Sequence, residues 1–402
     1  MTERAWSFHT AGNIVFGRGA VARLGKLVQQ MGLDRALVVT DKAIVQAGLL
    51  SQVVSSLVDA GVAAEVFDGG EPEPSLSAVN LCAKQAKASG AQALVGLGGG
   101  SNIDLAKATA VVLKHGGPVR KYLGEDKVPG PIWPLIAVPT TAGTGSEVSG
   151  ASVLADKEQD IRGAILSNQL RPMIALVDPL LTLTCPPKVT ADAGMDALTH
   201  AIEAFMSIDY RYMDAPADQL TFYSGRTPLT DCLALEAIRL IGENIRLAVH
   251  QGNNIEAREK MHLASLLAGM SFSNAAVALV HALEYPIGVM TSCTHGAGNA
   301  LLLPYVMRYN LPTRLRELTE IAMALGEDVE GLPEREAAEL AVEAVQQLKE
   351  DVGIPMRLRE LGMAEGQISD AAQQVVGMTR LMRNNPRPAT VTQLEALLRE
   401  AF

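Results

Sequence analysis

The chain has 402 residues, 48% of them hydrophobic and 19% charged, with a formal net charge of −10. That length allows two or three ordinary domains with a large core, and the acidic balance argues against a nucleic-acid partner held through its phosphates. No Lys/Arg run marks an anionic membrane surface, and the most apolar run, roughly Leu263 to Val280, contains Ser265, Ser271, Ser273 and Asn274 and reads as buried helix and loop rather than a membrane span of ~20 apolar residues.

The opening Met1-Thr2-Glu3-Arg4-Ala5-Trp6 lacks the charged-then-apolar order of a signal peptide. The four cysteines, Cys82, Cys185, Cys232 and Cys293, form no CxxC pair. This points to a reduced cytoplasmic protein without a disulfide scaffold or a structural zinc site.

In chain order, Phe8 to Phe16 reads as an extended segment leading into a helix over 21–31. A buried strand, Leu37-Val38-Val39-Thr40-Asp41, precedes a single helix expected over 44–59. A second strand, 64–68, is followed by a helix over 76–89. A third, Ala93-Leu94-Val95-Gly96-Leu97, is closed by Gly98-Gly99-Gly100-Ser101 and a helix over 102–114. A fourth strand covers 134–141, a hairpin is expected from 151–154 and 163–166, and a last strand covers 173–178. Strands alternating with helices of ten to fifteen residues define a parallel α/β sheet. After Pro186-Pro187 strand-like runs vanish and helical patterns continue to Phe402. The expected domains are therefore 1–187, α/β, and 188–402, all helical.

Several stretches carry chemistry. Gly98, Gly99, Gly100 and Ser101 sit where a strand meets a helix. There backbone N–H groups approach a pyrophosphate, or simply make a tight turn. Ser101 and Asp104 have the spacing of a capping box. Asp41 ends a strand where a carboxylate accepts from a ribose hydroxyl and repels a 2′-phosphate, or caps the next helix. It precedes the glycine turn, against the order of the standard dinucleotide fingerprint. Thr140, Thr141 and Thr144 offer hydroxyl donors at another strand end. In Ala193-Gly194-Met195-Asp196-Ala197-Leu198-Thr199-His200, Asp196 and His200 fall on one helical face, one turn apart. With His281 and His295 they form a candidate metal site; a surface Asp–His hydrogen bond is the plainer alternative.

Taken together, these motifs resemble the iron-dependent, group III alcohol dehydrogenases, the family related to glycerol dehydrogenase and dehydroquinate synthase. The matching stretches are Phe16-Gly17-Arg18-Gly19, Gly98-Gly99-Gly100-Ser101, Pro139 to Glu147, Ala193 to Ala204, Asn274 to His281, and His295-Gly296. They span nearly the whole chain. The resemblance implies an α/β NAD-binding domain, an all-α metal-binding domain of the dehydroquinate synthase-like type, and a cleft between them. It also implies Asp196, His200, His281 and His295 as ligands of Fe²⁺, with Zn²⁺ as the alternative, and a homodimer or larger homo-oligomer. Phe272 would line the apolar part of the substrate pocket.

Three departures stand out. Tyr285 occupies the position of a histidine associated with proton relay, and a phenol of pKa near 10 is a poorer carrier at neutral pH. Arg162 stands where a lysine often lies near the cofactor. Roughly Asp209 to Thr227, with Tyr210, Tyr212 and Tyr223, is an addition expected either to shape the substrate entrance or to form a solvent or subunit contact.

The expected activity is hydride transfer between a primary alcohol or aldehyde and NAD(H), with the metal as Lewis acid on the substrate oxygen. The alternatives are a hydroxyacid–oxoacid transhydrogenase, another reductase of the family, and a non-catalytic metal- or nucleotide-binding protein.

Overall fold

The structure is a computed structural model that describes residues 5–156, 161–213 and 221–402. It divides into two compact units, His9–Cys185 and, with the chain ahead of His9, Pro186–Phe402.

The first unit contains β1 (Asn13–Phe16), α1 (Leu24–Gln30), β2 (Arg35–Val39), α2 (Lys42–Gln46), α3 (Leu49–Asp59), β3 (Ala63–Phe67), α4 (Leu76–Ala88), β4 (Ala93–Gly98) and α5 (Gly100–His115). They are followed by β5 (Gly124–Glu125), β6 (Leu135–Pro139), β7 (Ala151–Asp156), β8 (Ile161–Leu166) and β9 (Ile174–Val177). Six strands form one parallel sheet in the order β1-β9-β6-β4-β2-β3. The expected hairpin is β7 with β8, antiparallel, extended by β5.

Near-continuous apolar strands result because both sheet faces are covered. Leu37, Val39, Leu94 and Leu135 pack on one face with α4 and α5. Ala36, Val38, Val95, Leu97, Ile136 and Val138 pack on the other with α1 and α3. The two-residue alternation along each strand sorts them.

The helix expected over 44–59 is two helices. Gly48 adopts φ 77°, a left-handed conformation suited to glycine, and the chain restarts at Leu49.

The strand order reverses between β2 and β4. Chain progress runs outward from β2 to β3, then returns to β4 on the other side of β2. Open parallel sheets bind ligands beyond the carboxyl ends of strands at such a point. Asp41 follows β2 there, and the Gly98-Gly99-Gly100 turn ends β4.

The second unit is helical: α6 (Pro187–Met206), α7 (Pro228–His250), α8 (Ile255–Phe272), α9 (Leu279–Thr291), α10 (His295–Asn310) and further helices to Ala401. Among the described residues, no helix is long and apolar enough to cross a membrane.

Residues 214–220 of the addition lie outside the described residues. Its described ends are anchored: Ser224 and Gly225 donate backbone N–H to the carbonyls of Asn274 and Ala275, ahead of α9. Phe222 and Tyr223 are buried, whereas Tyr212 is exposed.

His262 on α8 is fully buried, and neither ring nitrogen has a hydrogen-bond partner among the described residues. Burial pulls its pKa from 6.5 to about 3. The unfolded chain therefore binds a proton that the folded chain refuses. The contribution is present above pH 6.5 and is lost as pH falls toward 3. His262→Leu should retain ~2–3 kcal/mol more of its neutral-pH stability at pH 4.5 than the parent does. Urea midpoints at pH 7 and 4.5 for both proteins measure this; parallel losses would show that His262 does not set the acid limb.

Candidate active site

In the first unit the glycine turn is shaped by its neighbours. Gly98 has φ 139°, and a Cβ there would fall 2.2 Å from Asn102 Nδ2. A Cβ on Gly100 would strike Thr144, and one on Gly99 would meet only Thr141, at 3.5 Å. The structure thus brings Gly98, Gly99, Gly100, Thr141 and Thr144 together, and Thr140 joins through its backbone N–H to the Gly98 carbonyl at 3.0 Å.

The capping-box expectation for Ser101 is corrected. The cap is Gly99, with no side-chain bond, and Ser101 lies inside the first turn. Asp104 is engaged elsewhere: it accepts from Ser146 Oγ at 2.6 Å and from the Val153 N–H at 2.9 Å. Asp41 acts as a cap. Its Oδ1 accepts from the Ile44 N–H at 2.9 Å, and its Oδ2 accepts from Asn102 Nδ2 at 2.6 Å. The Arg162 side chain lies outside the described residues.

Beneath this turn lies a charged cluster. Lys107 is fully buried and donates to Ser146 Oγ (2.9 Å), Ser149 Oγ (3.1 Å) and the Ala151 carbonyl (2.8 Å). Burial pulls its ammonium down to about 8, and burial pushes the nearby Glu147 carboxyl up to about 7. The Asp104 carboxylate stands 3.9 Å from Lys107 Nζ. These bonds tie α5 to the threonine-rich loop after β6.

In the second unit α6 supplies one side of the site. Asp192, Asp196, His200 and Glu203 share a face, at i, i+4, i+8 and i+11. All four are buried. Asp192 accepts from Thr294 Oγ1 at 2.7 Å, and Thr294 caps α10. A Cβ on Gly296 would lie 2.3 Å from the Asp192 carbonyl, so glycine there lets α10 approach α6 closely. The first turn of α9 has no side-chain cap of its own; Glu203 Oε1 accepts from the Val280 N–H at 2.6 Å.

One ligand atom each from Asp196, His281 and His295 lies within 4.8 Å of the others. Glu203 Oε2 is 2.5 Å from His281 Nδ1, and Glu284 Oε2 is 2.6 Å from His295 Nδ1. Each carboxylate engages an Nδ1, which leaves the Nε2 of both rings to face Asp196. Burial raises the Asp196 carboxyl pKa, but His200, His295, His281 and Asn299 outweigh it and leave the group below its ordinary range.

His200 is near but outside that trio. Its Nδ1 is 3.9 Å from Asp196 Oδ2, and its ring lies 4.9 Å from that of His281. Five rings form a row. Phe272 stacks on His200 at 4.2 Å, His281 meets His295 at 5.2 Å, and Tyr285 stacks on His295 at 6.2 Å. Phe272 is 7% exposed, and the His295 side chain is 38% exposed, so the row opens to solvent at its His295 end.

Three participants carried no sequence assignment: Glu203, Glu284 and Asn299. Their spacings were available, seven residues after Asp196, three after His281 and four after His295. Each lies on the helical face of its ligand candidate.

Family models for the iron-containing alcohol dehydrogenase domain and for the C-terminal domain of the Fe-containing alcohol dehydrogenase family match residues 11–179 and 190–402. Among characterised relatives, 1,3-propanediol dehydrogenase of Klebsiella pneumoniae is 36% identical over 404 aligned positions, covering 100% of both chains. NAD-dependent methanol dehydrogenase of Bacillus methanolicus is 35% identical, over 96% of this chain and 97% of the relative. The crystal structure of a 1,3-propanediol oxidoreductase superposes with a TM-score of 0.93 at 36% identity, covering 99% of this chain and 100% of that one. Sulfoacetaldehyde reductase from Bifidobacterium kashiwanohense, solved with NAD⁺, gives 0.87 at 30% identity, covering 99% and 100%.

The chain belongs to the iron-containing alcohol dehydrogenase family. It is an oxidoreductase that moves hydride between an alcohol or aldehyde carbon and NAD(H).

Asp104→Ala removes the carboxylate beside a fully buried ammonium. The expected loss is ~3 kcal/mol in urea unfolding. Adding Lys107→Met to that variant should recover most of the loss; no loss in the single variant would mean that Glu147 alone balances Lys107.

Proposed function

We propose that the protein is a metal-dependent primary-alcohol dehydrogenase in which Asp196, His200, His281 and His295 hold one Fe²⁺, or alternatively Zn²⁺. The observation that carries this is the convergence of a buried carboxylate with two imidazole Nε2 lone pairs, each ring locked by its own glutamate. Three nitrogens and one oxygen without thiolate suit a first-row dication. A divalent cation there supplies Lewis-acid polarisation of the substrate oxygen.

The chain's own residues do the rest. Glu203 and Glu284 fix the tautomers and the ring directions of His281 and His295. Phe272 and Tyr285 pack on the outer rings of the row and hold His200 and His295 in place; Phe272 also presents an apolar edge to the substrate carbon chain. With a phenol at 285, the alcohol proton leaves to water on the solvent-open His295 side.

In the other unit the Gly98-Gly99-Gly100-Ser101 turn and Thr140, Thr141 and Thr144 receive the NAD pyrophosphate, with Arg162 as an added charge. Asp41 has a lone pair left on each oxygen and accepts from the adenosine ribose, which favours NAD over NADP. The substrates are small primary alcohols or their aldehydes. The enzyme works as a homo-oligomer in the reducing cytoplasm; four cysteines without a CxxC pair support that compartment.

The test is NADH absorbance with primary alcohols, diols and hydroxyacids after reconstitution with Fe²⁺ or Zn²⁺. Expected are metal-dependent NADH formation and a preference for NAD. Activity indifferent to metal would overturn the proposal, and turnover without net NADH would indicate a transhydrogenase. Glu203→Gln loses one acceptor, so metal affinity should fall about 10–100-fold, read by chelator competition. An unchanged affinity would remove Glu203 from the site.

A further inference from the structure

Asn299 lies one turn after His295 on α10 and is fully buried. Its Nδ2 is 2.9 Å from Asp196 Oδ1, 3.2 Å from His281 Nε2 and 3.0 Å from His295 Nε2. The neighbours fix which way the amide points. Asp196 Oδ1 accepts, and in a neutral ring whose Nδ1–H is given to Glu203 or Glu284 the Nε2 accepts as well. Hence the NH₂ faces the trio. The amide Oδ1 is buried without a hydrogen-bond partner among the described residues.

We propose that Asn299 is a placeholder for the cation: a positioning residue that holds Asp196, His281 and His295 together and competes with the metal for their lone pairs. This rests on the metal reading above. An imidazole Nε2 has one lone pair in the ring plane, so it accepts an N–H or binds a cation, not both. Two amide hydrogens also face three acceptors, which leaves the arrangement one donor short. The positive end of the amide dipole repels a dication, and Oδ1 loses no partner when the amide turns. Asn299 therefore keeps three mutually repelling lone-pair donors collected, at a cost in metal affinity.

The experiment uses the full chain stripped with chelator, then Zn²⁺ titrated against a chromophoric competitor, alongside thermal melting of the stripped protein. Asn299→Ala should bind Zn²⁺ about tenfold tighter than the parent while its stripped form melts at a lower temperature. A residue with a merely structural role would lower both. Equal or weaker Zn²⁺ binding by Asn299→Ala overturns the proposal and makes Asn299 a plain support for Asp196.

If the alanine variant does not fold, the near-isosteric and uncharged Asn299→Leu serves. It cannot donate to the trio, so Zn²⁺ should raise its melting temperature by more than it raises the parent's, and an equal or smaller rise overturns the proposal. Should the parent itself bind Zn²⁺ no better than Asp196→Ala, the metal reading fails and the placeholder falls with it.

Discussion

A buried acidic face on one helix carries the helical unit. Along α6, Asp192, Asp196 and Glu203 are removed from water, where a carboxylate without partners is costly. Each has a partner beyond α6: Thr294 at the start of α10, Asn299 within α10, and Val280 with His281 at the start of α9. The need to satisfy those carboxylates sets where α9 and α10 begin, and therefore where His281 and His295 stand. Moving either helix would strand a buried charge, so the same bonds that stabilise the packing hold the candidate ligand geometry.

The two glutamates extend that logic. Glu203 serves two roles with its two oxygens, closing the uncapped first turn of α9 and orienting the His281 ring. Glu284 orients His295 from the helix that carries His281. An imidazole has two usable nitrogens, and occupying one determines what the other offers. A metal site on these helices is thus defined one shell further out than the ligand candidates.

The sheet unit solves a comparable problem around Lys107. A buried ammonium needs acceptors for its three hydrogens, and it finds them in Ser146, Ser149 and Ala151. The result fixes the loop after β6 beside the glycine turn. Two of the three glycines there are required by contact with Asn102 and Thr144, so the turn is a packing device whether or not a phosphate is present. Asp41 is similarly double: it caps α2 and ties to α5, whether or not a ribose is present.

Periodicity and punctuation alone determined much about this protein. Both-face burial makes strands read as unbroken apolar runs, so the order of strands and helices, the parallel sheet and the change of character after Pro186-Pro187 follow from local pattern. The one-turn spacing of Asp196 and His200 is also local. At Gly48 the flanking apolar pattern continues across the glycine, so local pattern alone runs one helix through a position where the backbone turns left-handed. What only the tertiary structure decided involves partners distant in the chain. Ser101 looks like a cap because of its spacing from Asp104, yet Asp104 is claimed by Ser146 and Val153 more than 40 residues away. Glu203, Glu284 and Asn299 sit at helical spacings that many solvated residues share. Spacing shows which face a side chain shares, but only packing shows which lone pair or proton it meets there.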